Sequence, residues 1–357
     1  MERIVVKIGS NVLTRQDGSI DVTRMSAIVD QTIQLQRNGY QVILVSSGAV
    51  ACGRSMLKVK AKLDSVEQRQ LYSAVGQVRL MNFYQDLFGG YGVSVGQLLT
   101  MKECFSTRRE YLNQRGCMEV MLASGIVPIV NENDTISVTE LMFTDNDELS
   151  GLVATMMGAT TLVILSNIDG IYNGNPSRSD THVIPVIGSA DDISCYIEST
   201  KSGFGRGGMQ TKYGIARKVA AEGVRVIIAN GKRENILTEL LLNPQSQVPH
   251  TVFTPSGNGV SSVRKWIAHS QGFAKGMVTI DDNAVRALRG KTAASLLLVG
   301  VTDIDGDFEE GDIIAVQDNA GHRVALGKSS YDSTEARECM GRHDIRPLIH
   351  YDCLFIE

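Results

Sequence analysis

The chain has 357 residues, of which 43% are hydrophobic and 21% are charged, a composition that excludes a disordered or fibrous protein. Its formal net charge of −4 argues against the overall basic surface that nucleic-acid binding would need. At this length we expect two domains. The six cysteines form no C-x-x-C pair, so we expect reduced thiols in a cytosolic protein rather than a disulfide framework or a zinc site. The apolar run at the start, Ile4–Ile8, is too short for a signal peptide or a membrane span.

The first 230 residues alternate between short apolar runs and longer amphipathic ones, which predicts an α/β fold with a mostly parallel sheet. The predicted strands are Arg3–Ile8, Gln41–Ser46, Val93–Leu98, Val127–Val130, Thr161–Ser166 and Arg225–Ala229. The predicted helices are one that Asp21 caps and Gly39 ends, then Glu67–Leu87, Arg108–Ala123, Asp147–Met157 and Met209–Ala221. Because ligands of such sheets bind beyond the carboxyl ends of the strands, the loops at those ends should carry the chemistry.

After about Gly272 the pattern changes to short segments separated by Gly and Asp, which predicts a small, mainly β second domain. The predicted strands there are Gly276–Ile280, Ile313–Val316, Val324–Lys328 and Cys353–Ile356, with helices at Asn283–Arg289 and Ser333–Met340. The polar stretch Pro249–Trp266 is the expected junction, so we place the domains at 1–255 and 272–357, with the junction proper at 256–271. Residues 270–357 carry 9 basic and 15 acidic side chains, a net charge of −6, whereas the rest of the chain has a net charge of +2.

The first two predicted strands both end in small residues. Lys7 either reaches solvent from an edge strand or stands as a fixed cation beside Gly9 and Ser10, which would let backbone N–H groups approach an anion. The second strand ends in Ser46-Ser-Gly-Ala49, and a helix beginning there would also favour an anion. Two such loops at equivalent ends of adjacent strands indicate an anion-binding site.

Two later loops are rich in acids and amides, Asn131-Glu-Asn-Asp134 and Asp145-Asn-Asp147. Such residues form turns and caps, and Asp145 could simply cap the helix that follows. Facing two anion-binding loops, they would instead suit a zwitterion, with carboxylates on an ammonium group or Mg²⁺ and with lysines and backbone N–H groups on carboxylate and phosphate. We favour this second interpretation.

A glycine-rich loop spans Lys201 to Lys212. Gly203, Gly205 and Gly208 match G-x-G-x-x-G formally, but the residues before them are polar rather than a strand, so we reject a dinucleotide fingerprint. The chain also lacks the P-loop pattern, a histidine pair with zinc spacing and a G-x-S-x-G elbow. The loop is either an ordinary flexible connection or a mobile one that places Lys212 over a nucleotide phosphate.

These motifs, taken in order, carry a resemblance to the amino-acid kinase superfamily, and most closely to its members that phosphorylate glutamate. The matching segments are Lys7-Ile-Gly-Ser, Ser46-Ser-Gly-Ala-Val, Ala74-Val-Gly-Gln, Asn113-Gln-Arg115, Asn131-Glu-Asn-Asp, Asp145-Asn-Asp and Gly207-Gly-Met-Gln-Thr-Lys212. The tail resembles a PUA domain. The resemblance covers essentially the whole chain and implies a three-layer sandwich around a mostly parallel sheet, followed by a small, mainly β PUA-like domain.

The resemblance also implies a role for each matching residue. Lys7 and Lys212 would bind the phosphates of ATP and neutralise the transferring phosphoryl group, and Asp147 would orient the lysines or a ligand. The ATP site would comprise Lys7, Gly9, Ser166, Asn167, Arg206, Gly207, Gly208, Met209, Gln210, Thr211 and Lys212. The substrate site would comprise Ser47, Gly48, Asp134 and Asn146, with Arg115 as a supporting residue. The family often has Thr-Asp at the position of Ser166-Asn167, so one of its carboxylates is an amide here.

The implied reaction is the phosphorylation of the side-chain carboxylate of L-glutamate by ATP with Mg²⁺, the first step of proline synthesis. The resemblance further implies inhibition by proline, a homodimer or homotetramer, and a glutamyl-phosphate reductase as the enzyme that takes the product. The sequence indicates no ligands for Mg²⁺. Two alternatives stay open: a superfamily member that acts on aspartate, acetylglutamate or a phosphate-bearing substrate, and an RNA-binding protein. The net charge of −6 on the tail argues against RNA binding.

Overall fold

The computed structural model describes residues 1–59, 62–105, 108–137, 143, 145–175, 180–189, 191, 193, 196, 208–256, 274–290, 294–343 and 345–356. The chain divides into two compact units, one of Met1–Lys102 and Arg115–Asn258 and the other of Glu103–Gln114 and Gly259–Glu357. In the part that the structure describes, no helix combines the length and the apolar character needed to cross a bilayer.

Up to Phe253 the described chain alternates between strands and helices. In order they are β1 (Arg3–Ile8), α1 (Ser10–Leu13), α2 (Val22–Arg37), β2 (Gln41–Ser46), α3 (Ala49–Met56), α4 (Ser65–Gly89), β3 (Val95–Thr100), α5 (Arg108–Ala123), β4 (Val127–Glu132), α6 (Asn146–Met156), β5 (Thr161–Ser166), β6 (Val186–Ile187), α7 (Met209–Ala221), β7 (Arg225–Asn230), α8 (Ile236–Leu242) and β8 (His250–Phe253).

Within the described residues these strands form one sheet, in the order β3-β4-β2-β1-β5-β7-β8-β6. The paired strands are parallel except for β7 and β8, so the predicted mostly parallel sheet is confirmed. β1 lies between β2 and β5: the chain places β2, β3 and β4 on one side of β1 and then crosses to the other side to form β5. In open α/β sheets this reversal opens a crevice beyond the carboxyl ends of the strands.

Successive side chains of β1 point to opposite faces of the sheet. Ile4, Val6 and Ile8 are buried in a core that also includes Met25 of α2 and Leu80 of α4. Lys7 points to the opposite face, where its ammonium group meets the carboxylate of Asp147 on α6. Lys7 therefore does not reach solvent from an edge strand, because β1 is a central strand and Lys7 is only 5% exposed.

Several predicted boundaries in the first 256 residues differ from the structure, and three of them have an identifiable reason. β3 begins at Val95 rather than at Val93, whose N–H donates to the Phe88 carbonyl and so closes the end of α4. α4 begins at Ser65, two residues before the prediction, because Asp64 and Glu67 form a capping box. The predicted junction Pro249–Trp266 includes β8, which pairs with β7. A strand of four residues has too short a pattern to be recognised before its partner is known.

The C-terminal part forms a second sheet with its own core. Its elements are β9 (Gly276–Ile280), α9 (Asp282–Leu288), β10 (Val301–Gly306), β11 (Ile313–Asp318), β12 (Arg323–Lys328), α10 (Ser333–Glu338) and β13 (Leu354–Ile356). The sheet order is β10-β9-β11-β12-β13, and Val278, Val316 and Leu348 are among its fully buried side chains. The sequence did not predict β10, because a bulge between Val301 and Asp303 interrupts the alternation of its apolar residues. The predicted mainly β character is confirmed.

Two close helix crossings position the loops at the carboxyl end of the main sheet. α3 crosses α4 at Gly53 and Gly76, where a Cβ on Gly76 would lie 1.8 Å from the Ala49 carbonyl oxygen. α6 crosses α7 at Gly151, where a Cβ would lie 2.8 Å from a methyl group of Val219. Only glycine allows the backbones to approach so closely.

Candidate active site

A cavity of about 1070 Å³ opens beyond the carboxyl ends of β1, β2, β4 and β5. Most residues predicted for the site line it: Lys7, Gly9, Ser47, Gly48, Asp134, Asn146, Ser166, Asn167, Met209 and Lys212. These residues come from loops up to about 200 positions apart in the sequence, and the parallel sheet brings them to one edge. The volume is sufficient for a nucleotide together with a small second substrate.

Asp147 holds the two predicted lysines at one wall of this cavity. Its carboxylate is completely buried, with one oxygen 2.5 Å from Lys7 Nζ and the other 3.0 Å from Lys212 Nζ. Burial by itself raises the pKa of Asp147, but the two ammonium groups outweigh it and lower the pKa to about 2. The three side chains therefore carry a net charge of +1, with both ammonium groups held in fixed positions.

The local sequence explains how Asp147 and Lys212 come together. The Asp145 side chain accepts hydrogen bonds from the N–H groups of Asp147 and Glu148, so it caps α6 as the pattern suggested. Lys212 lies in the first turn of α7. Gly151, one turn after Asp147, lets α7 pack closely against α6 and so brings the lysine within reach of the carboxylate.

Asp145 has a second oxygen that the cap does not use. Its Oδ2 is buried and makes no hydrogen bond among the residues that the structure describes. Burial, and next the charge of Asp147, raise the pKa of Asp145 to about 6. A carboxylate of this kind at a cavity wall is a ready acceptor for a donor group of a ligand.

The two glycines of the predicted anion loops serve different purposes. The Gly9 N–H donates to the Leu165 carbonyl oxygen at 3.1 Å, so it is not the donor for an anion that we expected from the sequence. A side chain there would crowd the Leu165 carbonyl oxygen, since a Cβ would lie 3.1 Å from it, and would contact Lys7 Nζ at 3.4 Å. Gly48 has a φ of 112°, a conformation that favours glycine, and it begins α3 at the cavity.

The acidic side of the cavity contains an arginine that sequence reasoning missed. Arg69, on α4, forms ion pairs with both Glu132 and Asp134. Glu132 also accepts hydrogen bonds from the Ser137 hydroxyl and the Phe143 N–H. Nothing in the local pattern of α4 distinguishes Arg69 from a surface arginine, because its partners lie more than 60 positions away in the sequence.

Hydrogen bonds between amides connect the substrate-side residues. Asn146 Nδ2 donates to Ser47 Oγ and to Asn131 Oδ1, both at 3.0 Å. Asn131 Nδ2 in turn donates to Gln77 Oε1 at 3.0 Å. Gln77 belongs to the Ala74-Val-Gly-Gln segment that supported the resemblance, but the sequence did not assign it a role.

The remaining predicted residues are placed as follows. Gly208 caps α7, and Gln210 and Thr211 lie in its first turn without being among the described residues of the cavity wall. Arg206 and Gly207 lie outside the described residues. Arg115 is placed away from the cavity: it lies 3.8 Å from Glu119, which itself pairs with Arg3 at the amino end of β1. Arg115 is not among the described residues of the cavity wall, so its supporting role near the substrate remains a prediction.

The cavity wall also includes cationic and aromatic side chains that the sequence did not indicate: Arg15, Arg54, Tyr72 and Lys232. Arg54 stacks over the Tyr72 ring at 5.7 Å. Among the described residues no group of three or more His, Cys, Asp or Glu side chains could by itself hold a metal ion. The wall thus offers cations for an anion and carboxylates for an ammonium group.

Comparison with known proteins gives a consistent result along the whole chain. Residues 2–230 match the amino acid kinase family, and residues 276–351 match the PUA domain. A glutamate 5-kinase of Bacteroides thetaiotaomicron is 61% identical over 355 residues, which cover 99% of this chain and 98% of that protein. A glutamate 5-kinase of Chlorobaculum tepidum is 42% identical, with coverage of 99% and 97%. The crystal structure of UMP kinase from Ureaplasma parvum aligns with a TM-score of 0.48 at 15% identity, covering 71% of this chain and 98% of that one.

Proposed function

Because the chain belongs to the amino acid kinase family, within its glutamate 5-kinases, we propose that it transfers the γ-phosphoryl group of ATP to the side-chain carboxylate of L-glutamate. The products are ADP and L-glutamyl 5-phosphate. The observation that carries the proposal is the pair of lysines on the cavity wall, Lys7 and Lys212, which the buried Asp147 holds together, while the other side of the cavity offers carboxylates and amides.

The reaction requires charge neutralisation more than proton transfer. A side-chain carboxylate is already ionised at neutral pH, so it can attack the γ-phosphorus without a general base. Its repulsion from the phosphate oxygens must be offset, and fixed cations do this most effectively because they need not reorganise during the reaction. Lys7 and Lys212 are such cations, and Asp147 positions both.

The nucleotide would lie along the side formed by β5 and α7. Ser166, Asn167 and Met209 line the cavity there, and Lys232 adds a further cation. Mg²⁺ would enter with the ATP phosphates, which supply most of the ligands that this ion prefers, together with water. Bound there, Mg²⁺ adds positive charge near the transferring group.

The amino acid would lie along the side formed by α3, α4 and β4. Its ammonium group would meet the carboxylate of Asp134 and the amide of Asn146, and its α-carboxylate would meet Ser47 and Gly48 at the start of α3. This placement directs the side-chain carboxylate toward Lys7 and Lys212.

Family membership also supports the wider assignments. L-Proline would compete with glutamate for the same subsite as a feedback inhibitor of proline synthesis, and the chain would act in the cytoplasm as a homodimer or homotetramer. The product is an acyl phosphate, which hydrolyses readily, so a glutamyl-phosphate reductase is the expected consumer.

The test is the release of ADP from ATP and Mg²⁺ with a panel of acceptors: L-glutamate, L-aspartate, N-acetyl-L-glutamate and UMP. We expect turnover with L-glutamate at a kcat/KM at least about tenfold above that with any other acceptor, which one discriminating hydrogen bond can supply. Addition of L-proline should raise the apparent KM for glutamate. Preferential turnover of another acceptor would refute the proposed substrate.

A further inference from the structure

We propose that Gln77 is a specificity-determining residue. It sets the direction of the hydrogen bonds at the substrate subsite, so that the subsite selects a substrate with an ammonium group. The inference rests on the proposed function, since it concerns how the same subsite reads its substrate. Gln77 lies on α4 and does not itself line the main cavity; it acts through Asn131 and Asn146.

An amide side chain can present either a donor or an acceptor, and its neighbours decide which. Asn146 uses both of its amide hydrogens, one on Ser47 Oγ and one on Asn131 Oδ1. The group that Asn146 has left for a ligand is therefore its carbonyl oxygen, an acceptor. Ser47 Oγ already accepts from Asn146, so its hydroxyl hydrogen is directed elsewhere and is available for a carboxylate.

This arrangement persists only while Asn131 keeps its oxygen toward Asn146. Asn131 is 3% exposed and Gln77 is 8% exposed, so water does not compete with the bond between them. Gln77 Oε1 accepts from Asn131 Nδ2 at 3.0 Å and thereby holds that amide in one of its two orientations. Without an acceptor at position 77, rotation of Asn131 by half a turn would present its NH₂ to Asn146, which would then rotate in its turn.

After those rotations Asn146 would present NH₂ to the substrate. Two donors would then face each other where the ammonium group has to bind, and Asp134 would be left to hold it alone. The direction of the hydrogen bonds from Asn146 through Asn131 to Gln77 thus distinguishes an α-amino acid from a dicarboxylate of the same length without an amino group. The same direction gives Ser47 its role toward the α-carboxylate.

Position 77 allows a matched pair of variants, because only the oxygen of the Gln77 amide is used among the residues described. Gln77 Nε2 is buried and makes no hydrogen bond within the described part of the chain. Gln77→Glu therefore removes no hydrogen bond and keeps the accepting oxygen, whereas Gln77→Met keeps the length of the side chain but removes the acceptor. Gln85→Met, at an exposed position of the same helix, is the control for the methionine substitution.

The experiment measures kcat/KM for L-glutamate and for glutarate, its analogue without the amino group, in the full-length protein. We expect Gln77→Met to reduce the ratio of the two values by about tenfold, mainly through the KM for glutamate, while the KM for ATP stays within about twofold. Gln77→Glu and Gln85→Met should keep the ratio within about threefold of the wild type. Equal losses for glutamate and glutarate in Gln77→Met would mean a purely structural role and would overturn the inference.

The acceptor panel separates this inference from the proposed function. If L-aspartate proved to be the preferred substrate, the proposed substrate would be wrong. The ratio of kcat/KM for aspartate and succinate would still test whether Gln77 sets the direction of the hydrogen bonds. Preference for an acceptor without a free ammonium group, such as N-acetyl-L-glutamate, would refute both.

Discussion

At the scale of single residues, two aspartates of the site have opposite pKa shifts because their surroundings differ. Asp147 lies between two ammonium groups, which lower its pKa to about 2 against the effect of burial. Asp145 is raised to a pKa of about 6 by burial and by the charge of its neighbour. Two carboxylates two residues apart thus have opposite pKa shifts: Asp147 is ionised at neutral pH and holds the cations, and Asp145 has an oxygen available to a ligand.

Removal of either lysine should abolish most of the turnover. We expect Lys212→Ala and Lys7→Ala each to lower kcat about 100-fold or more, because a preorganised cation at the transferring phosphoryl group is lost. The assay is ADP release at saturating ATP and glutamate, with circular dichroism as the check on the fold. Near-normal kcat in either variant would contradict the assigned roles.

Asp145→Asn should be more stable and less active than the wild type at neutral to basic pH. The variant keeps an oxygen for the cap of α6 but removes a carboxyl whose folded-state pKa lies above its ordinary value, so that its ionisation destabilises the folded protein as pH rises through about 6. We expect Asp145→Asn to be more stable than the wild type at pH 8 by up to about 2 kcal/mol, a difference that disappears below about pH 4. Chemical denaturation at both pH values measures it.

The same variant has a kinetic signature. In the wild type, kcat/KM for glutamate should fall as pH drops below about 6, because protonated Asp145 no longer accepts from the ligand. The profile of Asp145→Asn should be lower and should lack this limb. An unchanged limb would assign it to another group.

At the scale of secondary-structure elements, close helix packing determines where the functional side chains stand. α3 and α4 meet backbone to backbone at Gly53 and Gly76, which sets the distance between the loop at Ser47 and the face of α4 that carries Arg69 and Gln77. Small residues at a crossing are thus as necessary for the site as the polar residues that line it.

Gly76→Ala should therefore be strongly destabilising. Its Cβ would lie 1.8 Å from the Ala49 carbonyl oxygen, which is backbone and cannot rotate away. We expect a loss of at least about 3 kcal/mol of unfolding free energy, or no folded protein at all. Gly89→Ala, at the end of the same helix where a Cβ would meet nothing within 4 Å, is the control and should be neutral or slightly stabilising. Denaturation midpoints of the two variants decide the matter.

At the scale of the whole molecule, charge is divided unevenly along the chain. Residues 270–357 have a net charge of −6 and the remainder has +2. Asp303, Asp305, Asp307, Glu309 and Glu310 are all exposed, on β10 and the turn after it. The part that matches the PUA domain therefore presents an acidic surface that repels phosphates, whereas the cavity is lined by the cationic side chains Lys7, Arg15, Arg54, Arg69, Lys212 and Lys232.

This distribution predicts that the protein does not bind RNA. Because nucleic-acid affinity is mainly cationic, we expect no saturable binding of a structured RNA at up to about 10 μM protein, even at low salt. Filter binding measures it, and the triple variant Asp303→Asn, Asp305→Asn, Asp307→Asn tests whether the acidic row is responsible. Saturable, salt-sensitive binding by the wild type would contradict the prediction.

Elements whose signal is local could be predicted from the amino-acid pattern. β1, β2 and β5 begin and end where predicted, because continuous apolar runs flanked by polar residues have one stable arrangement in a parallel sheet. α7 likewise matches its prediction. The sequence also predicted that the loops beyond the carboxyl ends of the strands lie together, since parallel strands bring those ends to one edge. That Asp147 acts together with Lys7 and Lys212 was implied only by the resemblance to the amino-acid kinase superfamily.

The tertiary structure alone decided the partners. Arg69 pairs with Glu132 and Asp134, and Gln77 directs Asn131, across separations of more than 50 positions. Such pairings leave no periodic trace, because the choice of a hydrogen-bond or ion partner depends on which elements meet after packing. β8 and the helix crossings at Gly76 and Gly151 were hidden for the same reason: a short strand and a glycine acquire their meaning only from the backbone placed against them.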